Sequence, residues 1–117
     1  MPDRDRPGAL HQPISALKAE LFKALAHPAR VRVLELLSEG ERTVGEMQPL
    51  VGLEGSHLSQ QLAVLRRAGV VTNRKEGAAV VYALRDPEIV ELLAVAKRVL
   101  INSLAESQDL LADLQSN

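Results

Sequence analysis

Residues 43–85 constrain this chain more than any other stretch. Two short helical segments joined by a glycine-bearing turn run into two valine-rich segments that meet at Lys75-Glu76-Gly77. That order is the signature of a helix-turn-helix followed by a β-hairpin wing, a unit that enters a DNA groove. It implies a chain that reads DNA, not one that performs chemistry on a substrate.

The flanking segments complete a mainly α domain. Residues 1–13 are charged, hold three prolines and show no period, which predicts a mobile N-terminal arm. Ile14, Leu17, Leu21 and Leu25 recur at helical spacing and predict a first helix over 14–25, with Phe22 beside its apolar stripe. Pro28 suits the first position of a second helix whose buried side is Val31, Val33, Leu34, Leu36 and Leu37, ending at Gly40. Thr43-Val44-Gly45-Glu46 fits the capping box, in which hydroxyl and carboxylate each satisfy an orphan backbone N–H, and a third helix follows over 44–50. After a turn at 52–55, a fourth helix runs over 55–68 with Leu58, Leu62 and Leu65 inward, and Gly69 stops it.

Val70–Arg74 and Ala79–Leu84 read as antiparallel strands, with Val80, Tyr82 and Leu84 sharing a face toward the core. Asp86-Pro87-Glu88 supplies an N-cap, a first-position proline and a first-turn acid for the last helix. Apolar residues at 89, 92, 93, 96, 99, 100, 104, 111 and 114 then continue for more turns than so small a monomer can cover. A single domain over 14–114 is expected, paired as a homodimer.

Composition excludes several function classes. With no cysteine, there are no disulfides, thiolate metal sites or thiol redox switches. No apolar run approaches the roughly 20 residues of a membrane span, and no signal-peptide core follows the start, so a cytoplasmic protein without membrane contact is expected. Nothing resembles a nucleophile with its base and orienting group, which argues against an enzyme. Net charge is only −1, but its distribution is uneven: residues 56–85 hold five bases and one acid, and residues 86–117 two bases and six acids. A basic middle beside an acidic last helix fits a DNA face and a remote face.

The outward face of the fourth helix carries the candidate contacts. Ser56, His57, Ser59, Gln60 and Gln61 place short or flexible hydrogen-bonding groups near its N-terminus, with Arg66 and Arg67 one to two turns later and Arg74 and Lys75 near the wing tip. Such groups can meet base edges and phosphates of double-stranded DNA. A winged-helix module for protein contact is the competing class, but docking faces favour aromatic or apolar anchors, which this face lacks. Arg30 and Arg32 are open to two readings, phosphate contact or solvated helix face. His27 reads as a helix-start residue, and His11 lies in the arm.

LAHPARVRVLELL (25–37), TVGEMQPLVGLEGSHLSQQLAVLRRAGVV (43–71) and RKEGAAVVYAL (74–84) resemble the ArsR/SmtB family of bacterial winged helix-turn-helix repressors, over roughly residues 15–104. The resemblance implies a homodimer packed through the first and last helices, an inverted-repeat operator, and the fourth helix as recognition helix. It puts Ser56, His57, Ser59 and Gln60 in the major groove and Arg74 and Lys75 on the wing. Two positions depart from the usual pattern: His57 replaces a common Thr, and Glu54 replaces a common Ser at the helix entrance, where it would repel a phosphate.

The family commonly governs metal resistance or trafficking and leaves DNA when its inducer binds. Its Cys-Val-Cys site in the third helix falls here on Thr43, Val44 and Gly45. Its second site pairs an Asp and a His at the start of the last helix with two ligands from the dimer mate. The first two positions are Asp86 and Glu88, but the other two are Val99 and Asn102. Two carboxylates without imidazole favour hard cations. The candidates for a weak divalent-metal site are therefore Asp86, Glu88 and His11 from the arm, set against a capping role for Asp86 and a dipole role for Glu88. A nickel- or zinc-responsive regulator through that nonstandard set is the alternative to a regulator with an unknown inducer.

Overall fold

The structure, a computed structural model, describes residues 7–116, with side chains described from Pro13 onward. The elements are α1 (Pro7–Leu25), α2 (Pro28–Leu37), β1 (Arg42–Thr43), α3 (Val44–Val51), α4 (Gly55–Arg67), β2 (Val71–Glu76), β3 (Ala79–Leu84) and α5 (Glu88–Ser116). The expected order of helices and hairpin is present.

Most boundaries agree to within a few residues, and three features differ more from the sequence expectation. Helix α1 starts at Pro7 rather than 14, so it takes in half of the expected arm; residues 1–6 lie outside the described part of the chain. Pro7 is a good first residue for a helix, and Pro13 inside it removes one backbone N–H without ending the helix. A two-residue strand, β1, was not expected. It joins the hairpin as an edge, in the order β1-β3-β2, with Arg42 opposite Tyr82 and Thr43 opposite Val81. Two residues are too few to show a period. Finally, Lys75 and Glu76 are strand, not turn: Glu76 pairs with Ala79, leaving Gly77-Ala78 as a two-residue connection with Gly77 at φ +65°. A left-handed first turn residue is what a tight hairpin demands, and glycine accepts it without strain.

The core sits where α2, α3, α4, the root of β2 and the start of α5 converge. Leu34, Met47, Leu58, Leu62 and Leu65 are wholly excluded from solvent, and Val33 and Val71 join them. Tyr82, Leu84, Leu92 and Leu93 pack on this cluster while half-buried. Val80 and Val31 are also half-buried. Truncating any of the buried leucines to Ala costs about 2–5 kcal/mol.

Caps fix the helix ends. His27 Nδ1 accepts from the Ala29 N–H at 3.0 Å, which makes it the N-cap of α2. Thr43 and Glu46 complete the capping box of α3, the hydroxyl accepting from the Glu46 N–H at 3.2 Å and the carboxylate from the Thr43 N–H at 2.9 Å. At the end of α4, the Gly69 N–H donates to Arg66 O and the Val70 N–H to Leu65 O, both at 3.0 Å. With Gly69 at φ +76°, this is the Schellman arrangement, and it turns the chain sharply from α4 into β2.

Candidate nucleic-acid interface

Helices α3 and α4 with their short turn form the helix-turn-helix. Gly52, left-handed at φ +79°, ends α3 by donating to Gln48 O at 3.0 Å. Leu58, Leu62 and Leu65 recur at four and three residues, so one face of α4 is locked into the core and its roll about its own axis is set. The opposite face must then be solvent-facing. Ser56, His57, Ser59 and Gln60 are all exposed there, with Arg66 and Arg67 exposed in the last turn. Glu54 is the N-cap residue of α4 but makes no side-chain cap bond, which leaves the first backbone N–H groups of that helix unsatisfied by it.

Gln61 does not belong to that face. It is half-buried, and its Oε1 accepts from Arg30 Nη1 at 2.7 Å. Arg30 in turn donates through Nε to Ala24 O at 2.6 Å and through Nη2 to Lys23 O at 3.2 Å. Neither reading of Arg30, phosphate contact or solvated face, describes this; the residue bridges three helices. Side chain to backbone contacts six residues away leave no trace in hydrophobic spacing. Arg32 is about half exposed and faces Glu35 at 3.7 Å.

On the wing, the two basic residues differ. Arg74 is held by Glu41 at 2.5 and 3.1 Å and by Glu76 at 2.8 Å. The hydrogen bonds hold the Glu41 carboxyl below the usual carboxylate value and push Arg74 further from deprotonation. One guanidinium between two carboxylates presents a net negative cluster. Lys75, Arg66 and Arg67 pair with no carboxylate among the described residues. The part played by Glu41 was not legible in the sequence, because it lies 33 residues from its partner.

Asp86 Oδ1 accepts from the Glu88 N–H at 2.9 Å, the capping geometry at the start of α5. Glu88 is exposed beside it, and the side chain of His11 lies outside the described residues. Among the described residues, no group of three or more His, Cys, Asp or Glu side chains is placed to hold a metal ion. No helix among them is long and apolar enough to cross a membrane.

A family model described as "Bacterial regulatory protein, arsR family" matches residues 27–73, from the N-cap of α2 to the third residue of β2. An uncharacterized HTH-type transcriptional regulator of Mycobacterium tuberculosis, Rv0081, is 56% identical over 106 residues, covering 90% of this chain and 93% of that protein. Its crystal structure superposes with a TM-score of 0.75 over 81% of this chain and 96% of that one. The biofilm growth-associated repressor of Agrobacterium fabrum is 41% identical, covering 64% of each. A homodimeric winged helix-turn-helix DNA-binding domain of Mycobacterium bovis, Mb0332, superposes with a TM-score of 0.74 at 28% identity, over 81% of this chain and 88% of that one. The chain belongs to the arsR family of bacterial regulatory proteins: it is a winged helix-turn-helix DNA-binding transcriptional regulator and not an enzyme.

Proposed function

We propose that two copies of this chain pair through α1 and α5 and read an inverted-repeat operator, each laying α4 in the major groove and Lys75 against the phosphate backbone. The carrying observation is the face of α4: Ser56, His57, Ser59 and Gln60 stand exposed on a helix whose other side is sealed into the core. Such a helix can hold hydrogen-bonding groups against base edges with little conformational loss, which is what discrimination requires. Arg66, at the far end of α4, adds phosphate contact.

Pairing follows from what the single chain leaves uncovered. Val95, Val99, Leu100, Ile101 and Leu104 on α5 are each at least 41% exposed, as are Leu17 and Phe22 on α1. An apolar surface of that extent on a small regulator is an interface. The Mycobacterium bovis domain on which the chain superposes is homodimeric, which supports pairing. A dimer bound across a promoter blocks its use, so repression is the action we assign, as in the biofilm growth-associated repressor.

DNA binding of this kind needs no metal. The Asp86 carboxylate is occupied by the Glu88 N–H, and this supports its capping role over a ligand role with Glu88 and His11. Sedimentation of the protein alone and with duplex DNA tests the reading: two chains per duplex at micromolar concentration are expected, and one chain per duplex from a stable monomer contradicts it.

A further inference from the structure

The structure assigns to Arg30 a positioning role: it ties the recognition helix α4 to the end of α1, so that operator selectivity depends on it although it touches no DNA. The inference rests on α4 being the recognition helix.

Three hydrogen bonds from one guanidinium carry it. Nε and Nη2 donate to Ala24 O and Lys23 O at 2.6 and 3.2 Å, and Nη1 donates to Gln61 Oε1 at 2.7 Å. Ala24 and Lys23 belong to the last turn of α1, whose carbonyls form the negative end of its dipole; Lys23 O also accepts from the Ala26 N–H at 3.1 Å. A cation on α2 therefore seals the end of α1 and, with its remaining edge, grips the middle of α4. The planar fork of the guanidinium makes the three directions rigid relative to one another.

Leu21 and Leu25 pack α1 on the core and Ala24 is buried, but packing between α1 and α4 is incomplete. An open groove of about 490 Å³ lies between them, lined by Leu17 and Leu21 on one side and Val64 and Arg67 on the other. The leucine face of α4 holds that helix to α2 and α3, and the Arg30 bridge is the polar tie that joins it to the end of α1 beside that groove. In a dimer paired through α1 and α5, the angle between α4 and α1 sets how the two copies of α4 stand relative to each other. Base contacts tolerate little misplacement, whereas contacts to a uniform backbone tolerate much. Loss of the bridge should therefore cost selectivity and spare non-specific binding.

The test compares affinity for a duplex selected by the native protein from a random pool with affinity for an unselected duplex, at concentrations where sedimentation shows dimer. Arg30→Ala and Gln61→Leu should each lower that ratio by about tenfold, the size of losing a hydrogen bond to a charged group. Non-specific affinity and its salt slope should stay unchanged, and the double variant should be no worse than either single one. Gln61→Glu, which restores an acceptor for the guanidinium, should keep the native ratio with Arg30 present and lose it in the Arg30→Ala background. If Arg30→Ala does not fold, Gln61→Leu and Gln61→Glu decide the matter.

Equal weakening of both duplexes with a salt slope shallower by about one unit would make Arg30 a phosphate contact and overturn the proposal. So would a native ratio in Gln61→Leu. Gln60→Ala serves as control: if it too leaves the ratio native, or if no duplex is selected, the recognition-helix reading fails first and takes the Arg30 role with it.

Discussion

Lys75 and Arg74 are neighbours on β2, yet their surroundings give them different tasks. The Arg74 guanidinium is engaged by Glu41 and Glu76, while Lys75 is exposed and unpaired among the described residues. Lys75→Ala should flatten the salt dependence of binding to any duplex by roughly one unit, the release expected for one phosphate contact. Arg74→Ala should flatten it clearly less, because it also frees two carboxylates; equal slopes for the two variants would contradict the assignment. Glu46 makes a second residue-scale prediction. Its carboxyl is held below the usual value of 4.5, first by the Thr43 N–H and then by the Thr43 hydroxyl. A depressed folded pKa gives stability that is present above the unfolded value and lost as pH falls through the folded one. Glu46→Gln should therefore flatten the acid limb of a thermal-stability profile below about pH 4.5, relative to the unmodified protein. Superimposable acid limbs would show that ionisation of Glu46 contributes nothing to stability.

At the scale of elements, α4 and α5 carry opposite kinds of exposed surface. On α4, Gln60→Ala and His57→Ala should each lose about 1–3 kcal/mol of discrimination between operator and random DNA while binding random DNA as before. On α5, Leu100 is 62% exposed in the single chain, so Leu100→Asp should leave the fold intact and abolish pairing in sedimentation. Leu93 already packs on the core, and its replacement by Asp would confound folding with pairing. The helices and their caps were legible in the sequence because their causes are local: Thr43 with Glu46, Pro28 after His27, Gly69 after Arg67, and leucines at 58, 62 and 65. The hairpin was legible in kind but not in register, since Lys75 and Glu76 look like turn residues and pair as strand residues. What stayed hidden was made by contacts across the chain, namely β1 on β3, Glu41 on Arg74, and Arg30 across three helices.

For the whole molecule, shape and charge agree with a paired reader of DNA. The 29-residue α5 reaches well beyond the core, which it contacts near its start, and leaves the rest of its apolar stripe exposed, as the proposed pairing requires. Its acidic character suits a region remote from DNA, and the basic stretch from α4 through the wing suits the proposed DNA face. Metal should have little influence on this assembly: titrating zinc or nickel into the operator complex should change affinity by a coupling below about 1 kcal/mol, against the 1–3 of effective allosteric ligands. A site that disappears in Asp86→Ala together with a large loss of DNA affinity would replace the capping role of that residue. Reading of base edges by two copies of α4 related by a two-fold axis is tested by selecting duplexes from a random-sequence pool with the purified protein and identifying what is enriched. The predicted result is an inverted repeat with half-site centres about 10 base pairs, one helical turn, or a multiple of that apart; enrichment of no sequence, or of a single asymmetric site bound by one chain, would contradict the account.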